Sequence, residues 1–244
     1  MTTSAFAWPG GARAAVSITF DDGRPSQARG AEILAAHGLR GTFFVLMRQV
    51  AAAPEAWQAM ARAGHEIGNH TRTHPCSGNF AWSRPTALED WTIERIAEDI
   101  DAASAEIAAC FGARPRSFAY CCGQSFVGRG AGRRSYVPVV AERFLVGRGF
   151  RDEHPNDPAF VDLAHVGGVD LDGLQADAIA RLVDAAARDG AWLALAGHEV
   201  DERPGQSVDP RALDAACRAL RARGDIWVAP LGEVAAYVAQ RRGR

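Results

Sequence analysis

Short apolar runs separated by amphipathic stretches of helical period constrain this chain more than any other feature. Residues 14–20 (AAVSITF), 42–47 (TFFVLM), 117–121 (SFAYC) and 192–196 (WLALA) read as buried strands. Residues 26–37, 54–63, 88–111, 174–188 and 210–223 carry apolar positions at helical spacing, and Gly38, Gly64 and Gly112 stand as stops after three of them. Shorter strands are expected over 65–68, 144–146 and 226–229, and shorter helices over 137–142 and 231–240. Strands that are apolar on both faces and alternate with helices imply an α/β fold, a parallel sheet covered by helices. Periodicity alone does not separate a closed barrel from a doubly wound sheet. A chain of 244 residues is long enough for one substantial core, so residues 1–244 are expected to form a single domain.

Two motifs stand at expected strand ends. Thr19-Phe20-Asp21-Asp22-Gly23 puts two carboxylates side by side after an apolar run, and His70-Thr71-Arg72-Thr73-His74 puts two imidazoles four residues apart. Two His and one carboxylate can hold a divalent metal and leave positions open for water and substrate. The spare carboxylate is then free to act as a base on that water, so the pair of motifs suggests metal-assisted hydrolysis. Two His at i and i+4 share one face of a helical turn. Consecutive strand residues point to opposite sides, so one Asp can bind metal while the other faces water.

At these residues the chain resembles the polysaccharide deacetylase family, also called the NodB-homology or carbohydrate esterase family 4 domain. The resemblance rests on TFDDG and GHEIGNHTRTHP. It extends to Gly41-Thr42-Phe43-Phe44-Val45, to Leu193-Ala194-Leu195-Ala196-Gly197-His198, and to the closing segment from Trp227 to Val234. It implies a distorted, incomplete (β/α)7 barrel with its site at the C-terminal strand ends. It also implies Asp22, His70 and His74 as metal ligands, Asp21 as general base and His198 as general acid. The ion expected is Zn, with Co or Ni as alternatives. A backbone N–H near Tyr120 is expected to hold the oxyanion. Asp170 and Asp172 are both candidates for the acidic partner of His198, with Asp170 preferred.

The resemblance has one gap. The family often carries an Arg after the strand that follows the long helix, and that Arg tethers the catalytic Asp. This chain has Ala119 there, in Phe118-Ala119-Tyr120-Cys121-Cys122-Gly123. The tether is therefore expected from elsewhere, with Arg129 or Arg72 as candidates, or to be missing. Without it Asp21 should be the stronger base.

The implied activity is removal of acetyl groups from an N- or O-acetylated carbohydrate. Hydrolysis of a small amide, cyclic imide or ureide is an alternative, and a non-catalytic sugar- or metal-binding member is a third. There is no Lys, which excludes Schiff-base and P-loop lysine chemistry. A net charge of −2 and no basic stripe argue against nucleic acid, and no run approaches a membrane span. The first eleven residues carry no secretion pattern, so a cytoplasmic location is expected. Five Cys at irregular spacing argue against a disulfide framework, and Cys121-Cys122 reads as two strand residues or as a thiol near the metal. Of the remaining His, 37 and 65 read as structural, while 165 and 154 are candidates near the pocket. Trp82, Phe126 and Phe150 are expected to shape that pocket. Trp57, Trp82 and Trp91 are expected near the surface, where a homo-oligomeric contact is possible.

Overall fold

The computed structural model describes residues 6–243; residues 1–5 and 244, and with them the start of the leader reading, lie outside the described residues. An eight-stranded parallel sheet organises the chain. Its strands are β1 (Ala14–Phe20), β2 (Thr42–Val45), β3 (Glu66–Asn69), β4 (Ser117–Ala119), β5 (Val146–Arg148), β6 (Val169–Asp170), β7 (Trp192–Gly197) and β8 (Ile226–Val228). In space the order runs β5-β4-β3-β2-β1-β7-β6, and β8 pairs with the first half of β1. Val166, just ahead of β6, lies opposite Arg148 at the end of β5: its N–H donates to the Gly147 carbonyl and its carbonyl accepts the Gly149 N–H, both at 2.7 Å. That contact draws the two sides of the sheet together into a distorted half-barrel, as expected.

Among the described residues the eight α-helices are α1 (Gln27–Ala36), α2 (Met47–Val50), α3 (Pro54–Arg62), α4 (Ile93–Phe111), α5 (Val137–Arg143), α6 (Ala176–Asp189), α7 (Pro210–Ala222) and α8 (Leu231–Arg241). α4 starts later than its apolar period predicts, because Thr92 caps it by accepting the Arg95 N–H. It ends where predicted, at Gly112, whose φ of 79° suits a left-handed cap.

All seven residues of β1 are buried, which explains why its sequence does not alternate in polarity. Val16, Ile18 and Phe20 pack outward under α1, α6 and α7 in one core. Ala15 faces the other way, with Phe44, Ala119, Trp192 and Ala194, in a second core that α8 completes through Leu231, Val234 and Val238. Polar residues within this sheet are satisfied locally: Thr19 donates to the Leu195 carbonyl and Trp192 Nε1 donates to Ser17 Oγ. Trp57 and Trp91 are each 4 % exposed, which corrects the expectation that they lie at the surface; Trp82, at 60 %, does.

The cysteines depart most from the sequence reading. Cys121 and Cys122 are not strand residues: β4 ends at Ala119 and a 3-10 turn follows, with Cys122 in the left-handed region at φ 53°. Cys122 is disulfide-bonded to Cys76, 46 residues away, and so joins the loop after β3 to the loop after β4. Distance in sequence hid this pair. Such bonds persist where thiols are oxidised. No helix among the described residues is long and apolar enough to cross a membrane.

Closing a loop of this length contributes about 4 kcal/mol by chain entropy. Cys122→Ser should lower unfolding stability by roughly that amount and remove the effect of added reductant. Denaturant midpoints of both proteins, with and without dithiothreitol, check this. Equal midpoints in all four samples would mean that the bond contributes nothing.

Candidate active site

The chain turns sharply as it leaves β1. Asp21 donates its N–H to the Gly197 carbonyl, still in strand register with β7. Asp22 then adopts φ 77° and Gly23 φ 69°, so the two carboxylates diverge by a backbone turn rather than by strand alternation alone. Gly23 is needed there because a Cβ would meet Val45 at 3.3 Å as well as a positive φ. Gln27, fully buried at the start of α1, donates to the carbonyls of both Asp21 and His198 and so fixes two site residues to each other. No motif word marked Gln27 beforehand.

His70 and His74 do not share a helical turn. They lie in the loop after β3, with Thr71 at φ 63° and His74 at φ 57°. Side-chain hydrogen bonds hold this irregular backbone. Thr71 N–H donates to Asn69 Oδ1 at 2.7 Å, His74 N–H donates to Thr71 Oγ1 at 2.9 Å, and Asp99 of α4 accepts from the N–H groups of Arg72 and Thr73. Asn69 is itself anchored on α4 through Ile100 and Ser104.

Three atoms converge here. Asp22 Oδ1 lies 3.5 Å from His70 Nε2 and 3.3 Å from His74 Nε2. His70 Nδ1 sits 2.9 Å from the Ala119 carbonyl, which can only accept, so Nδ1 carries the proton and Nε2 presents a lone pair. Asp22 Oδ2 is clamped by Arg24 at 3.0 Å, while Asp22 Oδ1 is buried without a hydrogen-bond partner. An orphaned carboxylate oxygen facing two imidazole nitrogens fits a cation between them. The protonation states also fit. Burial works to raise the Asp22 carboxyl, but the hydrogen bond to the His70 ring, with the other imidazoles around it, outweighs that and holds it well below the carboxylate range. Burial, the largest influence on it, pushes His74 down to about 4, so it is neutral. Cys121 Sγ also lies near both imidazoles, but burial pushes that thiol well above its ordinary value and keeps it a poor ligand. Cys76 and Cys122, near His74, have their sulfurs in the disulfide.

The tether for Asp21 exists and comes from β5. Arg148, fully buried, donates from Nη2 to Asp21 Oδ1 and from Nη1 to the Gly149 carbonyl, and its guanidinium lies 5.1 Å from the centre of the Phe44 ring. The expected substitutes are elsewhere: Arg129 pairs with Asp90 and Arg72 with Glu106. The premise for an untethered, stronger base at Asp21 therefore falls. The strand expected over 144–146 in fact runs from Val146 to Arg148. An Arg closing a run of buried residues was the available signal.

Two further expectations are corrected. The Tyr120 N–H donates to the Arg148 carbonyl at 2.9 Å, so sheet pairing occupies the oxyanion donor assigned to it. Asp170 pairs with Arg151 at 3.1 Å, whereas Asp172 Oδ2 lies 2.6 Å from His198 Nδ1 and Asp172 Oδ1 accepts the His198 N–H. Asp170 belongs to β6, whereas Asp172 lies past its end, where the chain has turned toward β7. Burial opposes protonation of His198 and is the largest single influence on it. Even so, the Asp172 hydrogen bond and the charges of Asp21, Asp172 and Asp22 together raise its pKa above the ordinary 6.5.

Asp22, His74 and His198 line one cavity of about 630 Å³, with Arg24, Arg48, Phe80, Trp82, Cys122, Phe150, Arg151 and Gln206 among its other walls. Phe80 and Trp82 stack at 5.6 Å and Trp82 reaches the His74 ring at 5.8 Å. Phe150 meets the His198 ring edge-to-face at 5.1 Å, as a pocket residue should. Phe126 is under the Arg133 guanidinium outside this cavity, His154 is exposed, and His165 packs on Tyr120. His37 pairs with Asp214 and His65 accepts the Gly41 N–H, both structural as expected.

Residues 9–127 match the family described as polysaccharide deacetylase. A chitooligosaccharide deacetylase from Bradyrhizobium sp. (strain ANU 289) is 36 % identical over 106 residues, which is 41 % of this chain and 42 % of that protein. The match thus spans about two fifths of that relative's length. A crystal structure titled putative polysaccharide deacetylase from Mycobacterium smegmatis superposes with a TM-score of 0.72 at 19 % identity, over 99 % of this chain and 96 % of that one. A family 4 acetyl xylan esterase from Clostridium thermocellum, solved in complex with a cobalt ion, gives a TM-score of 0.59 at 21 % identity, over 94 % and 92 %. At these identities the structural likeness speaks for the fold.

Breaking the buried Asp21–Arg148 pair leaves an uncompensated charge, so Arg148→Ala should destabilise the fold by about 3–5 kcal/mol. Arg148→Lys keeps the charge but loses the fork that reaches both Asp21 and Gly149, and should recover part of it. Chemical denaturation of the two variants checks this. A loss under about 1 kcal/mol for Arg148→Ala would mean that the pair is not the required counter-charge.

Proposed function

We propose, from the match of residues 9–127 to the polysaccharide deacetylase family, that this chain hydrolyses acetyl groups from an N- or O-acetylated carbohydrate. The observation that carries the reading is that Asp22, His74 and the Asp172-bound His198 line one cavity, with His70 beside Asp22 and the Arg148-tethered Asp21, next to Asp22 in the chain, buried at the same strand ends. Asp22, His70 and His74 would hold a divalent ion; the cobalt-bound esterase of like fold supports that reading, with Zn the ion proposed and Co or Ni as alternatives. Such an ion supplies Lewis acidity toward the acyl oxygen and lowers the pKa of water.

The protein's own groups divide the proton work. Asp21 accepts the proton of the attacking water as general base. The buried Arg148 pairs with that carboxylate and fixes its position. Water adds to the acyl carbon, the C–N or C–O bond breaks, and acetate and an amine or alcohol leave. His198 gives the leaving atom its proton from Nε2, because Nδ1 is held by Asp172. Its pKa, raised mainly by the Asp172 hydrogen bond against the opposing effect of burial, keeps it protonated to higher pH than an ordinary imidazole. The stacked Phe80 and Trp82 at the mouth offer apolar faces of the kind sugar rings pack on.

Acetate release is the direct test. After chelation and re-addition of Zn, Co or Ni, the protein should release acetate from N-acetylated chito-oligosaccharides or acetylated xylo-oligosaccharides. Asp21→Asn and His198→Ala should each lower kcat by about 10²–10⁴. No acetate from any acetylated sugar with any of the three ions would sink the reading.

The pH profile tests the assignment of the acid. His198 with a raised pKa stays protonated to higher pH, so the alkaline limb of kcat should lie above 6.5. Asp172→Asn removes the hydrogen bond that raises it and should move that limb to lower pH, with the acidic limb unchanged. An unmoved alkaline limb would take the acid role away from His198.

A further inference from the structure

The cavity wall is cationic on a protein whose formal charge is −2. Three Arg line it, against one carboxylate, Asp22, which already faces two imidazoles. Two of these Arg have acidic partners. Arg24 is held by Asp22 at 3.0 Å and faces Glu199 at 3.7 Å, and Arg151 pairs with Asp170 at 3.1 Å. Arg48 has none. It stands on α2, directly after β2 at the C-terminal rim, and donates Nη1 to the Arg72 carbonyl at 3.0 Å. No ion pair to Arg48 occurs among the described residues, and it lines the cavity with most of its five donors unused by the hydrogen bond to Arg72. The bond to Arg72 also ties the guanidinium to the loop that carries His70 and His74. Arg48 is therefore a positive charge with open donor capacity at the open side of the cavity that Asp22 and His74 line.

A planar fork of this kind recognises carboxylate and phosphate, bidentately where geometry allows. A neutral sugar needs none of it. The cation at the metal site and the Arg at the rim would reinforce each other's pull on an anion inside a walled cavity. We infer that the cavity selects an acylated sugar bearing an anionic group, a carboxylate or a phosphate, which Arg48 binds while the acyl group lies at the Asp22–His70–His74 cluster. The acyl half of this statement rests on the hydrolase reading above; the anion half does not.

The test uses three matched compounds: N-acetylglucosamine, its 6-phosphate and its 6-carboxylate (the uronic acid). Initial rates are measured on the metal-loaded enzyme and on its Arg48→Gln and Arg48→Lys variants. Calorimetric titration with the deacetylated amino sugars, neutral and anionic, reads binding without turnover. At least one anionic compound should exceed the neutral one by about tenfold in kcat/KM and in affinity, the worth of one charge-assisted contact. Arg48→Gln should bring it down to the neutral level, Arg48→Lys should keep part of the gap, and added salt should narrow it. The phosphate and carboxylate arms identify which anion is preferred.

Turnover of the neutral sugar with no anionic preference in rate or binding would leave the hydrolase reading standing and overturn this inference. Anion binding that depends on Arg48, with no turnover of any sugar, would overturn the hydrolase reading and leave the anion site. A loss in Arg48→Gln that is equal for neutral and anionic compounds would make Arg48 a support for the metal loop, and would also overturn the inference.

Discussion

Two adjacent carboxylates buried at a strand end are the constraint on which the rest of this structure depends. Asp21 is 2 % exposed and Asp22 6 %. Ionised side by side in a medium of low dielectric they repel each other, and each loses most of its hydration. The fold answers with separate positive partners. Asp21 receives Arg148 from β5, and Asp22 receives Arg24 on one oxygen and the imidazole pair on the other. The positive φ at Asp22 separates the two carboxylates so that neither partner set competes with the other.

Those partners come from different parts of the chain, and that makes the sheet topology matter. Arg148 can reach Asp21 because the sheet curls until β5 and the segment before β6 meet. In a flat sheet of the same strand order, β5 would lie four strands from β1. The His pair is held from outside the barrel by Asp99, Ser104 and the Ile100 carbonyl of α4, and its loop is tied to the next by the Cys76–Cys122 bond. Gln27 joins the ends of β1 and β7, and Asp172 aligns His198 from the end of β6. The rigid part of the site is thus built from strand ends and short polar contacts, while the exposed Phe80, Trp82 and Arg48 lie at its open side.

Wherever local patterning controlled the outcome, the sequence was legible. Residues 14–20 became β1 without change, the stops at Gly38, Gly64 and Gly112 held, and Asp21, Asp22, His70, His74 and His198 met at the strand ends. Contacts across many residues were not legible. Asp172 displaced Asp170 because the two differ only in where β6 ends. The Tyr120 N–H was taken by sheet pairing with Arg148, and the His pair came from a strained loop rather than a helix.

The sequence by itself determined the class of fold and the chemical vocabulary of the site. Apolar runs must be buried, helical periods must cover them, and adjacent Asp with paired His at strand ends offer the donors of a cation site and groups that exchange protons. Only the tertiary structure decided which Arg answers Asp21, which Asp orients His198, which cysteines join, and which charge is left free at the cavity. Each of those depends on how far the sheet curls and where each strand stops, which is set by packing over the whole chain rather than by neighbours in sequence.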